Sequence, residues 1–200
     1  MTASASTSDK EGAPLAEPHL PDLPLQQALQ ARRSTRDFLP FELTPGQLSS
    51  LLWAAAGVNR RASGGRTMPS AHGWQEVDVY AVTAQGAWRY DASAHRLLPV
   101  APGDLRASTG EQDFVGSAPL NLVYVVDFDR MPEAAPQERE FLCGVSAGAM
   151  AQNAYLAAAA LGLGSVVRGL IDRRHLAASL GLRTTQRVLL AQTFGVPRLG

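Results

Sequence analysis

FLCGVSAGAMAQNAYLAAAALGL, residues 141–163, is small or apolar at almost every position. A helix of that composition has no polar face to offer water, so it must be buried in a core or in a subunit interface. Gly144, Ala147, Gly148 and Ala151 fall on one face as a strip of small side chains, which lets a second helix approach closely. Gly162 and Gly164 stop the helix. Residues 154–163 form the longest apolar run, too short to cross a bilayer.

Shorter elements surround this segment. Thr44-Pro45-Gly46-Gln47 combines an N-cap threonine, proline at the first helical position and a glutamine three residues after the cap, and opens a helix predicted to run to Ala56. Leu25 and Leu29 mark a short helix over 23–33 with a basic end, followed by a loop over 34–41. Alternation in EVDVYAVT (76–83) and a return over 87–90 predict a hairpin continuing into 96–100. LNLVYVV (120–126) is rich in β-formers and reads as a central strand. A short helix over 103–108, another over 172–180 and a strand over 188–194 complete the order. Helices and strands do not alternate as βαβ units, which predicts an α+β fold with a mainly antiparallel central sheet flanked by helices. Residues 1–22, rich in Ser, Ala, Pro and acidic groups, are expected to form a disordered tail, leaving one domain over 23–200.

Composition excludes several function classes. The 200 residues are 46% hydrophobic and 18% charged, the content of a globular domain. Eighteen basic and eighteen acidic residues balance to zero, so no global field attracts nucleic acid. All the basic residues except Lys10 are arginines, which leaves cationic work to planar, permanently charged guanidinium groups. The lone Cys143 rules out an internal disulfide and reads as a small core residue, and the scattered His19, His72, His95 and His175 imply no metal site. The N-terminal stretch has no basic leader and no signal-length apolar core, so the chain reads as a cytoplasmic protein outside the membrane.

Three segments can carry chemistry. Arg32-Arg33-Ser34-Thr35-Arg36 clusters three guanidinium groups and hydroxyls where a helix enters a loop; such a cluster grips a phosphate or is a solvated helix end. NRRASGGRTMPSAHG (59–73) is a long loop whose small residues would let a flat ligand lie against the backbone, or a plain surface loop. Gly162 to Gly169 presents glycines near a turn without fitting G-x-G-x-x-G. Gly144-Val145-Ser146-Ala147-Gly148 does fit G-x-S-x-G, but no hydrophobic strand precedes it. Its acid and base would have to be Asp172 and His175, three residues apart, so a serine hydrolase is a remote reading.

RRSTRDF (32–38), the PSA of GRTMPSAHG (65–73) followed by EVDVYAV (76–82), and SAGAMAQNAYLAAAALGLGSVVRGLID (146–172) stand in an order that resembles the flavin-dependent nitroreductase family over about residues 25–197. GRTMPSAHG, AWRYDASAHRL (87–97) and AGAMAQN (147–153) are most similar to the branch that contains the azoline dehydrogenases; those use a Lys-Tyr pair, and the only lysine here is Lys10. The resemblance implies a homodimer with two FMN at its interface, NAD(P)H as electron donor and a flat acceptor such as a nitroaromatic or a quinone. It places Arg32 and Ser34 at the FMN phosphate and ribityl chain, helped by Arg33, and Arg36 beside N1 and O2 of the ring. Pro69, Ser70 and Ala71 would line the flavin from the partner subunit. Arg168 and Gly169 would form the turn whose backbone N–H faces N5, and Arg198 is the one candidate for a C-terminal phosphate ligand. No protein nucleophile and no metal are expected, because the cofactor carries the redox step. A flavin-binding protein without turnover and a flavin-dependent dehydrogenase of a peptide or small molecule are the alternatives.

Overall fold

The computed structural model describes residues 12–198. Its centre is a sheet of seven strands, every neighbouring pair antiparallel, in the order β1-β6-β5-β4-β7-β9-β8. These strands are β1 (Ala13–Pro14), β4 (Val77–Thr83), β5 (Gly86–Asp91), β6 (Arg96–Pro102), β7 (Leu120–Asp127), β8 (Gly164–Arg168) and β9 (Gln186–Gly195). A separate hairpin joins β2 (Val58–Arg60) to β3 (Gly65–Arg66) inside the long loop. The α+β expectation holds.

All eight residues of β7 are buried, because helices cover one face and α4 (Arg173–Ser179) the other. On the first face, α2 (Pro45–Ala56) and α3 (Pro136–Ala160) pack on each other and on the sheet, with α1 (Leu25–Ala31) against α3. Leu51, Leu52, Ala147, Met150 and Ala154 meet Leu122, Tyr124 and Phe194 there. The α2 start is capped as expected: Thr44 Oγ1 accepts from Gln47 N–H, while the Gln47 side chain accepts from Thr44 N–H.

The structure departs from the sequence reading at three elements. α3 begins at Pro136, one and a half turns before the apolar run, because a proline at the first turn needs no N–H partner and its polar residues stay in water. Residues 103–108 form no α-helix, only a 3-10 turn at Arg106–Thr109. Residues 12–22, expected in the disordered tail, lie along the domain. β1 pairs with β6, Leu15 and Leu20 touch the core, and the Ser49 and Ser50 hydroxyls donate to the Ala16 and His19 carbonyls. Residues 1–11 of that tail lie outside the described residues. No helix among the described residues is long and apolar enough to cross a membrane.

Candidate flavin site

The outer edge of β8 organises the site. After α1 the chain turns at Arg32 and runs beside β8: Ser34 bridges Ser165 in parallel, Thr35 N–H donates to the Ser165 carbonyl at 2.8 Å, and Phe38 bridges Pro197. Glycine is required where it passes. A Cβ at Gly164 would lie 2.9 Å from Thr35 Cβ, and one at Gly195, its partner across β8 and β9, 2.9 Å from Phe38 Cδ1. Both distances are shorter than real Cβ contacts, so these glycines admit the arginine-bearing segment. The sequence reading gave Gly164 as a helix stop; in the structure it also serves close packing.

Tyr155 of α3 ties the edge together. Its hydroxyl accepts from Val167 N–H at 2.7 Å and lies 3.1 Å from Ser34 Oγ, and its ring lies under the Arg32 guanidinium, 5.4 Å from Cζ to centroid. Successive outward amides on a strand edge recur every second residue. Gly169 N–H, just past β8 and exposed, is therefore the next donor in line after Val167. Tyr155 was not expected at the site. The only signal was one aromatic in an otherwise alanine-rich stretch.

The arginines divide sharply. Arg32, half-buried, and Arg33 and Arg36, exposed, have no carboxylate partner among the described residues. Arg32 and Arg33 line a cleft of about 230 Å³ with Thr35, Tyr155, Gly162 and Ser165. Arg198 reaches the same segment, its N–H on the Asp37 carbonyl at 3.1 Å and its Nε 3.2 Å from the Asp37 carboxylate. Arg32 and Arg33, sharing one cleft with Tyr155 beside the edge amides and free of carboxylates among the described residues, fit a phosphate-bearing ligand, whereas Arg36 does not line that cleft.

Arg168 differs. Its side chain is 5% exposed and its guanidinium donates only to neutral acceptors: Nε to Thr193 Oγ1 at 2.9 Å, one terminal nitrogen to the Thr109 carbonyl at 2.8 Å, the other to Asn121 Oδ1 at 3.0 Å. Burial without a carboxylate pushes its pKa down to about 10. The side chain therefore clasps the 109–112 loop to β8 and is unavailable to a ligand, which leaves the backbone of 168–169 as the element that can face one.

Pro69, Ser70 and Ala71 are not joined to this edge by any hydrogen bond or ion pair among the described residues. Pro69 is exposed, and Ser70 Oγ accepts from Gln75 N–H at 3.0 Å, closing its own loop. That loop is anchored to α3 by Asn153, whose Nδ2 donates to the Thr67 carbonyl at 3.1 Å. Ser146 lies buried inside α3 rather than on a strand-to-helix turn; Asp172 caps α4 by accepting from His175 N–H, and the His175 ring faces Ser108 at 3.4 Å. No hydrolase triad forms. Cys143 is buried, and burial pushes its thiol pKa up.

This fold, with an arginine-rich segment laid along its edge strand, defines a class, and comparison with known proteins names it. The chain belongs to the nitroreductase family, whose model matches residues 29–196. It is 30% identical over 162 residues to a candidate nitroreductase of Methanocaldococcus jannaschii, covering 76% of this chain and 81% of that protein. The crystal structure of a candidate nitroreductase from Ralstonia eutropha JMP134 superposes with a TM-score of 0.90 at 46% identity, covering 98% of this chain and 94% of that one. The NADPH:FMN oxidoreductase of Vibrio harveyi, solved with NAD+, gives a TM-score of 0.66 at 25% identity, covering 88% of this chain and 69% of that one. The chain is thus an oxidoreductase by family.

Proposed function

We propose that this protein is a cytoplasmic, homodimeric FMN enzyme that passes reducing equivalents from NAD(P)H to a flat acceptor, a nitroaromatic, a quinone or a similar molecule, in a ping-pong cycle. The observation that carries the reading is the β8 edge, where Tyr155 joins Ser34 to the Val167 amide and shares a cleft with Arg32 and Arg33, neither of which has a carboxylate partner among the described residues. Bound FMN supplies the two-electron redox step, and no side-chain nucleophile is needed.

Arg32, Arg33 and Ser34 would hold the phosphate and ribityl chain, with Arg198 beside them through Asp37. Arg36 would place a fixed positive charge beside N1 and O2, where negative charge gathers on reduction, and so raise the potential. Gly169 N–H would orient the ring at N5, and Arg168, through its clasp on Thr109, would hold that turn in place. Pro69, Ser70 and Ala71 would reach the ring of the partner subunit's flavin.

The exposed face of α3 supports a dimer. Phe141 is 70% exposed and Val145 53%, beside exposed Gly144, Gly148 and Gln152, an apolar and small-residue strip that water solvates poorly. Leu25 and Leu29 of α1 are exposed as well. An azoline dehydrogenase is not proposed, because no lysine other than Lys10 exists to join a tyrosine in removing protons.

The decisive experiment is an absorption spectrum of the purified protein with added FMN, followed by anaerobic titration with NADH and NADPH. A flavin band that bleaches with one donor and returns with a quinone supports the proposal. Protein that takes up no FMN overturns it, and a flavin that neither donor reduces leaves a binding protein instead. Arg36→Ala is expected to lower the potential of the bound flavin in a redox titration; an unchanged potential removes Arg36 from the ring.

A further inference from the structure

A second cluster of arginines lies away from the β8 edge, at the far end of the β4–β5 hairpin. A cavity of about 350 Å³, within the range that takes small ligands, is lined by Arg66, Arg89, Arg130, Asp78, Asp91 and Trp74. Its two carboxylates are already engaged. Asp78 holds Arg130 at 2.7 Å, and Asp91 Oδ1 accepts the Ser93 and Ala94 amides at 3.0 and 3.1 Å.

The other two guanidinium groups make no ion pair with a described residue, although Asp78 and Asp91 act on Arg66 from a distance. Arg66 donates only to neutral acceptors, Gln75 Oε1 at 2.7 Å and the Ala56 carbonyl at 3.4 Å, and burial holds its pKa below the usual arginine value. Arg89 has no hydrogen bond or ion pair with any described residue, although its neighbours in the cavity are polar. Two half-buried guanidinium groups that make no ion pair with a described residue, lining one cavity with an indole, match the chemistry of a compact oxyanion.

We propose that this cavity is a second anion-binding site, taking a carboxylate or phosphate group between Arg66 and Arg89. An anion there gives Arg66 a direct ion-pair partner and, through the Arg66–Gln75 hydrogen bond, stiffens the loop that carries Pro69, Ser70 and Ala71. The binding is independent of the flavoenzyme reading; only a consequence for the ring, through those loop residues, rests on it.

The test uses the full chain saturated with FMN, so that the phosphate position at Arg32 to Arg36 is filled. If the protein takes up no FMN, the Arg33→Gln/Arg36→Gln double variant replaces it. Inorganic phosphate and benzoate are titrated separately in low-salt buffer by calorimetry and by tryptophan fluorescence, with Trp74→Phe identifying the reporter. Saturable binding of at least one anion, weakened about tenfold or more in Arg89→Gln, the scale of one charge-assisted contact, supports the site. The anion that binds tells whether the natural ligand carries phosphate or carboxylate. Arg89 makes no hydrogen bond to lose, so its variant is expected to melt like the parent, and it keeps the test valid if Arg66→Gln does not fold. No saturable response to either anion, or equal affinity in Arg89→Gln, overturns the proposal.

Discussion

Tyr155→Phe removes one oxygen and asks whether the β8 edge is built as described. The lost hydroxyl accepts from Val167 N–H and contacts Ser34 Oγ, at 2.7 and 3.1 Å, while the ring that remains still lies under Arg32. Each hydrogen bond contributes a net of about 0.5–1.5 kcal/mol, and an amide left unsatisfied costs about 1–3 kcal/mol. Val167 is half-buried, so water reaches its amide in part and the total should come to about 2 kcal/mol. For a chain of this size each kcal/mol moves the melting temperature by about 2–4 °C, which predicts a fall of about 4–8 °C. Ser34 loses its anchor in the same substitution, so FMN affinity should weaken by about tenfold, the equivalent of about 1.4 kcal/mol. Thermal denaturation of the apoprotein reads the first effect and fluorescence titration with FMN the second. Tyr155→Leu also removes the cation–π contact and should lose about a further 0.5–1 kcal/mol. A Tyr155→Phe protein that melts like the parent and binds FMN equally would refute the assignment of Tyr155 as the link between Ser34 and Val167.

Arg168→Met strands the Thr109 carbonyl and removes a donor from Asn121 and Thr193, and should cost about 3 kcal/mol in urea denaturation. Val145→Glu puts charge into the exposed apolar face of α3 and should convert the proposed dimer to monomer in light scattering, with loss of bound flavin. The Cys143 thiol has a folded pKa above its unfolded one, so its contribution to stability is complete below the ordinary thiol range and declines as pH rises through and past it. At neutral pH, native Cys143 should react with a disulfide reagent at least about tenfold more slowly than in denaturant, the behaviour of a buried thiol.

Most of the sheet was legible because alternation and β-branched runs report burial on a half-covered or fully covered strand, as in residues 76–83 and 120–126. The Thr44 cap was legible because it is a local interaction, complete within four residues. What escaped the sequence was carried by backbone groups. Residues 12–22 are held by carbonyls accepting from Ser49 and Ser50 and by an extended pairing with β6, and neither leaves a periodic pattern in the residues that benefit. The candidate site divides the same way. The arginine cluster was visible as charge, whereas Tyr155 acts through one hydroxyl on an amide twelve residues away. The role of Gly164 depends on a segment more than a hundred residues earlier in the chain.

The near-exclusive use of arginine gains a physical reason at position 168. A lysine there would keep the charge but offer three donors spread tetrahedrally from one nitrogen. The acceptors at Arg168 belong to the 109–112 loop, to β7 through Asn121 and to β9 through Thr193, and they are met by all three guanidinium nitrogens. One ammonium cannot span them, and being more strongly hydrated it would pay more to leave water. Arg168→Lys should therefore destabilise the fold nearly as much as Arg168→Met, although it conserves charge. Equal stability of the lysine variant and the parent would show that the site needs only a cation, and that the planar fork of Arg168 does not hold the turn at Gly169.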